Sequence, residues 1–398
     1  MPKLIIIDEY FANKVGHYYE YNKSVKEIFD AAGYECKIYA GSRLPPAIQK
    51  EVNAVATFSS LPKNGLNKIP VLGQLINRVR FWKNLHKEIM RVYHAEKDPG
   101  TVFFFTTVVW YNLLPVAYAA MRSRQRSVLL YRLSIYEHAG LPNQLQAVGD
   151  WLYRSTFKKL IQHPQVRFCT DSDVIANECN EEYSCNMKVL PIPHIKDDYV
   201  HAASGQADVS GKFILYAPGA IREEKGIGFI VSAFEYIAQK KPDLLKKCIL
   251  VTQYNDGADK AHNDSVKQRL SSLPLENTFL GNLSTEEYHQ RLYGADIILI
   301  PYSTGHGYRA RTSGIMSETI AACKPFITSR NSWMEIQSKN YNTGVSVQYN
   351  DCNELMMALE QITGNYPHYH ATACAAKDQW LQFHSKDNFK AIFEQLIQ

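Results

Sequence analysis

The chain has 398 residues, of which 45% are hydrophobic and 21% charged, with a formal net charge of +5. That length is too great for one ordinary core, so two domains are expected, and the composition is that of a soluble globular protein with neither extreme. The mild positive charge fits an anionic substrate or a membrane surface and gives no sign of a nucleic-acid partner.

The eight cysteines are scattered, without a Cys-x-x-Cys or a short secreted framework, which reads as reduced thiols in the cytoplasm. No stretch is long and apolar enough to span a bilayer, and a strand-like run begins almost at once. A cytoplasmic protein is expected, with the inner membrane face as a peripheral location. The 25 tyrosines suit a polar, aromatic-lined ligand surface.

Taken in chain order, residues 4–7 form the first strand, followed by a loop and a helix to about residue 32. Further strands are expected at 34–40, 101–107, 127–133, 166–170 and 187–192. These are continuous apolar runs, as strands buried on both faces read, and the helical patterns between them imply parallel sheets with crossover helices. Within one long helix, residues 81–93 mix Phe81, Trp82, Leu85, Ile89 and Met90 with Lys83, Lys87 and Arg91, and Arg78 and Arg80 precede them. Such a helix is either an ordinary crossover with a solvated face or a basic amphipathic surface resting on anionic lipid.

Residues 194–211 are polar and without period, and read as a linker. A second alternating series follows, with strands at 213–217, 248–252, 278–280, 296–300, 326–328 and 345–347. Ser284-Thr-Glu-Glu287 is a capping box opening one of its helices. The expected organisation is an N-terminal domain over 1–200, a C-terminal domain over 201–375, and a last helix, about 378–397 within a 376–398 segment, that crosses back to the first domain.

Two segments carry the chemistry. The first follows the strand at 213–217: Pro218-Gly-Ala-Ile-Arg-Glu-Glu-Lys-Gly226, then a helical pattern from Ile227. It puts Gly219, Arg222 and Lys225 at the carboxyl end of a strand near a helix N-terminus, where open α/β sheets bind ligands. The second runs from Pro301 to Pro325. It leaves a strand, crosses a loop with Tyr308, Arg309 and Arg311, and enters a helix through Thr312, Ser313 and Gly314, with Glu318 one turn on. Free backbone N–H groups and two forked cations suit a phosphate, and a carboxylate beside them suits a diol. Phosphate donors beside a diol acceptor suggest a sugar nucleotide.

The first domain offers less. Gly16 and His17 follow the first strand, where a glycine lets backbone approach a phosphate or sugar, and no dinucleotide fingerprint is present. Glu137 and His138 lie after the strand at 127–133 and could touch an acceptor hydroxyl or a sugar, or be ordinary loop residues. Asp171-Ser-Asp173 spells a metal-binding Asp-x-Asp, but it stands between a strand and a helix, where Asp and Ser are ordinary N-caps, and this is the preferred reading. His368 and His370 lack a third ligand. No metal or other cofactor is expected.

The second half resembles the donor-binding domain of the retaining GT-B glycosyltransferases of the family 4 type. The resemblance rests on Arg222, Lys225-Gly226 and Ala233-Phe234; on Leu280-Gly281 with Ser284–Glu287; on Ala295-Asp296 through Tyr302; and on Ser313-Gly314, Glu318 and Ala321 to Lys324-Pro325. It covers residues 213–330 well and the first domain only in outline. It implies a GT-B fold: two facing Rossmann-like, doubly wound domains with a deep cleft. It also implies transfer of a sugar, with retention, from a nucleoside-diphosphate sugar to a hydroxyl acceptor. That acceptor would be a glycan or lipid-linked saccharide in bacterial surface polysaccharide synthesis. Glu318 corresponds to the ribose-binding glutamate. The family's earlier glutamate is replaced by Ala310, so its contact with the donor sugar is missing or replaced. Two alternatives stand beside this: a sugar-nucleotide 2-epimerase-like enzyme, and a non-catalytic nucleotide-sugar-binding subunit.

Overall fold

The structure is a computed structural model that describes residues 1–14, 17–59, 72–132, 143–195, 211–219, 222–253, 260–305 and 309–398. Most of the expected linker lies outside these residues. The chain divides into two compact units, the first made of Met1–His194 with His384–Gln398, the second of Ile195–Phe383.

Unit 1 alternates strand and helix: β1 (Lys3–Asp8), α1 (His17–Ala31), β2 (Glu35–Gly41), α2 (Pro46–Val52), β3 (Ala54–Phe58), α3 (Leu72–Ala95), β4 (Thr101–Val108), α4 (Leu113–Arg122), β5 (Arg126–Tyr131), α5 (Asn143–Ile161), β6 (Val166–Thr170), α6 (Asp173–Tyr183) and β7 (Lys188–Val189). The strands form one parallel sheet in the order β3-β2-β1-β4-β5-β6-β7. The winding direction reverses between β1 and β4, so the carboxyl ends of those two strands flank the switch point where such sheets open a crevice.

Unit 2 repeats the plan: β8 (Phe213–Ala217), a 3-10 turn (Glu223–Lys225), α7 (Ile227–Lys240), α8 (Pro242–Lys246), β9 (Cys248–Gln253), α9 (Lys260–Ser271), β10 (Glu276–Leu280), α10 (Thr285–Gly294), β11 (Ile297–Ile300), α11 (Gly314–Ala321), β12 (Phe326–Ser329), α12 (Trp333–Asn340), β13 (Val345–Val347), α13 (Cys352–Gly364) and α14 (Tyr366–Phe383). Its sheet is parallel in the order β10-β9-β8-β11-β12-β13, with the reversal between β8 and β11.

Each unit has its own core. Both faces of β4 are buried along all eight residues, which is why Thr-Val-Phe-Phe-Phe-Thr-Thr-Val reads as an unbroken apolar run. The last helix, α15 (Lys386–Ile397), belongs to unit 1. Its Phe389 and Phe393 are fully buried, and Phe393 meets Phe29 and Phe104 edge-on at ring distances of 4.9 Å.

Three expectations differ from the structure. The segment read as one helix over 378–397 is broken: α14 ends at Phe383, and Ser385 starts a new helix by accepting a hydrogen bond from the Asn388 N–H (3.2 Å). The strand expected at 187–192 is only two residues long, because β7 pairs with β6 alone at the sheet edge. Strand β3 was not anticipated; Val55 is exposed on it, and this half-exposed edge strand lacks the continuous apolar signal of the central ones.

Candidate functional site

The two segments singled out in the second half leave adjacent strands. Gly219 to Gly226 follow β8, and Pro301 to Ser313 follow β11, so the two connections flank the switch point of the unit 2 sheet. Local packing holds them together. Gly226 has φ +78°, and a Cβ there would stand 2.1 Å from the Pro301 carbonyl oxygen, so only glycine lets the start of α7 lie against the end of β11. The Ser303 N–H donates to the Glu224 carbonyl (3.1 Å), a main-chain bond between the two connections. Lys225 Nζ donates to the Tyr302 hydroxyl (2.9 Å) and lies 4.2 Å from that ring's centroid.

Gly219 takes φ +95°, and its N–H donates to Gln253 Oε1 (2.9 Å), tying the connection to the end of β9. A Cβ on Gly219 would meet Ile315 Cδ1 of α11 at 3.4 Å, so this backbone runs past the first turn of that helix. Arg222 is exposed, with its nearest carboxylate, Glu224, at 3.9 Å. A pair that long and that wet is worth little, which leaves the guanidinium available to another anion.

Helix α11 begins where the sequence places it. Ser313 is the N-cap, its hydroxyl accepting from the Met316 N–H (3.2 Å), and Gly314 is the first helical residue. Thr312 is partly buried, and Arg309 and Arg311 are exposed on either side of the fully buried Ala310. The Arg309 carbonyl accepts from the Trp333 N–H (2.7 Å), so this stretch is anchored to α12.

Glu318 lies in the second turn of α11. Its Oε2 accepts from the Tyr288 hydroxyl of α10 (2.6 Å). Burial raises this carboxyl to about 7, and the Tyr288 hydrogen bond only partly opposes it. Among the described residues Oε1 has no hydrogen-bond partner. A carboxyl whose ionisation burial opposes, with an unused oxygen, is an acceptor that gains from donors brought by a ligand, such as a pair of ribose hydroxyls. Beside it, the buried Tyr216 hydroxyl of β8 has no partner among the described residues, its ring 6.5 Å from that of Tyr288. Sequence reasoning missed Tyr216 and Tyr288, which come from another strand and another helix; Tyr302 stood inside the segment already singled out.

In unit 1 the leads are weaker. His17 is the first residue of α1, while Gly16, Glu137, His138 and, in unit 2, Tyr308 lie outside the described residues. Ser172 caps α6, and Asp171 pairs with the Arg132 guanidinium at 3.3 Å, so the Asp-x-Asp segment does structural work. Among the described residues no group of His, Cys, Asp and Glu could hold a metal ion.

What the first half does contain is a buried polar cluster at the β1/β4 switch point, invisible as a motif. Asp8 accepts from Asn22 Nδ2 (2.6 Å) and the Tyr10 N–H (3.1 Å), and Glu9 accepts from Asn112. Burial pushes both carboxyls up, Glu9 to about 8. Glu96 makes the contrast: burial opposes its ionisation too, but donors from Lys3, Lys37 and Tyr39 overcome that and hold it at about 2. Fully satisfied Glu96 is structural; Glu9, with one side-chain donor, resembles a group reserved for something else.

Helix α3 buries Phe81, Leu85 and Ile89 and exposes Lys83, Lys87 and Arg91, as a crossover helix does. Among the described residues no helix is long and apolar enough to cross a membrane.

No known family profile matches this chain, and no curated protein matches its sequence. Solved structures do resemble it along its whole length. The N-terminal domain of Candida albicans trehalose-6-phosphate phosphatase has a TM-score of 0.70 at 12% identity, covering 100% of this chain and 96% of the other. Sucrose-phosphate synthase from Thermosynechococcus elongatus has 0.68 at 14%, covering 100% and 98%. Anabaena HepE, in complex with UDP and glucose, has 0.66 at 12%, covering 100% and 99%. The fold is that of the GT-B glycosyltransferases, with two Rossmann-like domains.

Proposed function

We propose that this chain transfers a sugar from a nucleoside-diphosphate sugar to a hydroxyl on a glycan or lipid-linked acceptor. The observation that carries the reading is the pairing in unit 2: cationic connections after β8 and β11, joined through Lys225 and Tyr302, with the Glu318 carboxyl, one oxygen of which is held by Tyr288, one turn into the adjoining helix. Cations for a diphosphate beside an acceptor for a diol match the two ends of a nucleoside diphosphate. The resemblance to HepE, whose structure holds UDP and glucose, makes UDP-glucose the first donor to try.

In this reading Arg222 and Lys225 neutralise the diphosphate, with Arg309, Arg311 and the N–H groups following Ser313 beside them. Glu318 holds the ribose. The bond between the anomeric carbon and the phosphate oxygen breaks, and the acceptor oxygen bonds to the same face of that carbon. The acceptor proton passes to the departing phosphate oxygen, so configuration is retained and no protein nucleophile or metal is called for. Negative charge grows on the phosphate as the bond breaks, so contacts from Arg222 and Lys225 strengthen in the transition state. Glu137, His138, Gly16 and His17 are assigned to the acceptor side or the donor sugar. The site of action is the cytoplasm or the inner face of its membrane, in surface polysaccharide synthesis.

A second reading, a non-catalytic nucleotide-sugar-binding subunit, is favoured by one observation: Ala310 is fully buried where a sugar-contacting glutamate is expected from the resemblance. Incubation with nucleotide sugars and a glycan panel separates the readings. Release of nucleoside diphosphate with a glycosylated product, lost in Glu318→Ala, supports transfer. Epimerised donor without acceptor refutes it, and donor binding with no turnover on any acceptor favours the binding subunit.

A further inference from the structure

Arg78 on α3 has no carboxylate partner among the described residues. Its guanidinium lies 4.3 Å from the Trp110 ring centroid and 4.8 Å from that of Tyr111, the two residues that follow β4. Nη1 is buried and has no hydrogen-bond partner. Arg132, by contrast, has Asp171 at 3.3 Å and the Thr106 carbonyl at 3.1 Å. The groups whose fields reach Arg78 most strongly are phenols: Tyr153 of α5, Tyr111, and Tyr10 beyond β1. Tyr153 is 9% exposed and its hydroxyl faces the Arg78 guanidinium, but among the described residues neither it nor the Tyr10 hydroxyl has a partner at hydrogen-bond geometry.

An uncompensated guanidinium in a desolvated place costs stability, and an aromatic platform recovers only part of that cost. The carboxylates of the same edge do not relieve it: Asp8 is engaged by Asn22 and the Tyr10 N–H, and Glu9 by Asn112. A guanidinium that only donates and three phenols that can donate together offer several donors to one ligand. They come from the residues after β1, the residues after β4, α3 and α5, at the carboxyl edge of a parallel sheet, where such folds hold ligands. What is missing is an acceptor with several oxygens.

We infer that Arg78, with the hydroxyls of Tyr10 and Tyr153 and the Trp110–Tyr111 platform, forms a binding site in unit 1 for an oxyanion, a phosphate or a carboxylate, borne by the acceptor. Its assignment to the acceptor rests on the transfer reading above; the oxyanion site itself does not. It narrows the acceptor to sugars or lipid-linked saccharides that carry a negative group.

The test uses the full chain with Arg222→Ala, Lys225→Ala, Arg309→Ala and Arg311→Ala, so that the cations of the unit 2 connections do not bind the probes. Glucose 6-phosphate, glucuronate, inorganic phosphate and glucose are titrated calorimetrically. Binding of a charged probe, at least about tenfold tighter than glucose and weakened at least about tenfold by Arg78→Leu, is expected. Glucose 6-phosphate against glucuronate tells phosphate from carboxylate. Arg78→Leu keeps apolar packing on Trp110 and should leave thermal stability equal or higher, whereas a merely structural arginine would lower it. Tyr153→Phe removes an unpartnered hydroxyl, retains the fold, and should weaken the same probe. The inference is overturned if no oxyanion probe binds, or if Arg78→Leu and Tyr153→Phe bind it as tightly as their background. UDP binding by the unsubstituted chain is measured in parallel: its failure with the Arg78-dependent binding intact sinks the donor reading and leaves the oxyanion site standing.

Discussion

Glu318→Gln is expected to stabilise the protein above neutral pH. The ordinary carboxyl value is 4.5, and burial raises Glu318 to about 7 in the folded chain. A raised folded-state value means that between about pH 4.5 and 7 the folded chain holds a proton the unfolded chain has released. Stability from this group is therefore full below about pH 4.5 and is lost as pH rises through about 7. At 1.36 kcal/mol for each pH decade, the full loss is about 3 kcal/mol, reached near pH 8, against about 1 kcal/mol at pH 5. Glutamine has similar shape, keeps an acceptor for the Tyr288 hydroxyl and never ionises. Urea denaturation of both proteins at about pH 5 and 8 should show the variant's advantage growing by about 2 kcal/mol. Every other titrating group cancels in that comparison. A pH-independent difference, or a variant less stable at pH 8, would refute the idea that Glu318 is a desolvated carboxyl waiting for donors. A bound nucleoside diphosphate should reverse the ranking by favouring the charged form.

Gly226→Ala forces a Cβ against the Pro301 carbonyl in left-handed backbone, and a loss of about 2 kcal/mol or more is expected in thermal or urea melts, with nucleotide binding weakened because both connections shift. Ser313→Ala removes the α11 cap and should cost about 1 kcal/mol, while its nucleotide affinity, read by calorimetry, falls with the frayed helix start. His384 accepts from the Ile192 N–H (2.8 Å), and burial, with His194 as a lesser cause, lowers it to about 3. A depressed value keeps the folded chain unprotonated while the unfolded chain takes a proton below about pH 6.5, so stability falls by about 2 kcal/mol between pH 6.5 and 5. His384→Asn, which retains an acceptor, should flatten that acid limb in pH-dependent melts.

Much of this protein was legible in the sequence wherever the signal was local. The central strands announce themselves because both faces are buried, as in β1 and β4. The Ser284 capping box forms as spelled, with Ser284 and Glu287 satisfying each other's backbone N–H groups. The cationic connections could be placed because their residues are contiguous and sit between a strand and a helix. What depends on distant segments could not be placed. Nothing near Glu318 in the chain points to Tyr288, thirty residues away, as its partner, nor does Arg78 name Trp110. The buried cluster of Asp8, Glu9, Asn22 and Asn112 looks, residue by residue, like a strand end, a helix interior and a helix start; only the parallel register of β1 and β4 assembles it. The break at His384–Ser385 was readable in principle from the capping serine, but no Pro or Gly draws attention to it.

The most direct test is calorimetric titration of UDP, GDP and ADP into the full chain and into its Arg222→Ala/Lys225→Ala counterpart. One nucleotide should bind with one-to-one stoichiometry, its affinity falling at least about tenfold in the double variant, since each charge-assisted contact to phosphate is worth about 1.5–3 kcal/mol. No binding by any of the three, or equal affinity in both proteins, would contradict the assignment of the unit 2 connections as a nucleoside-diphosphate site.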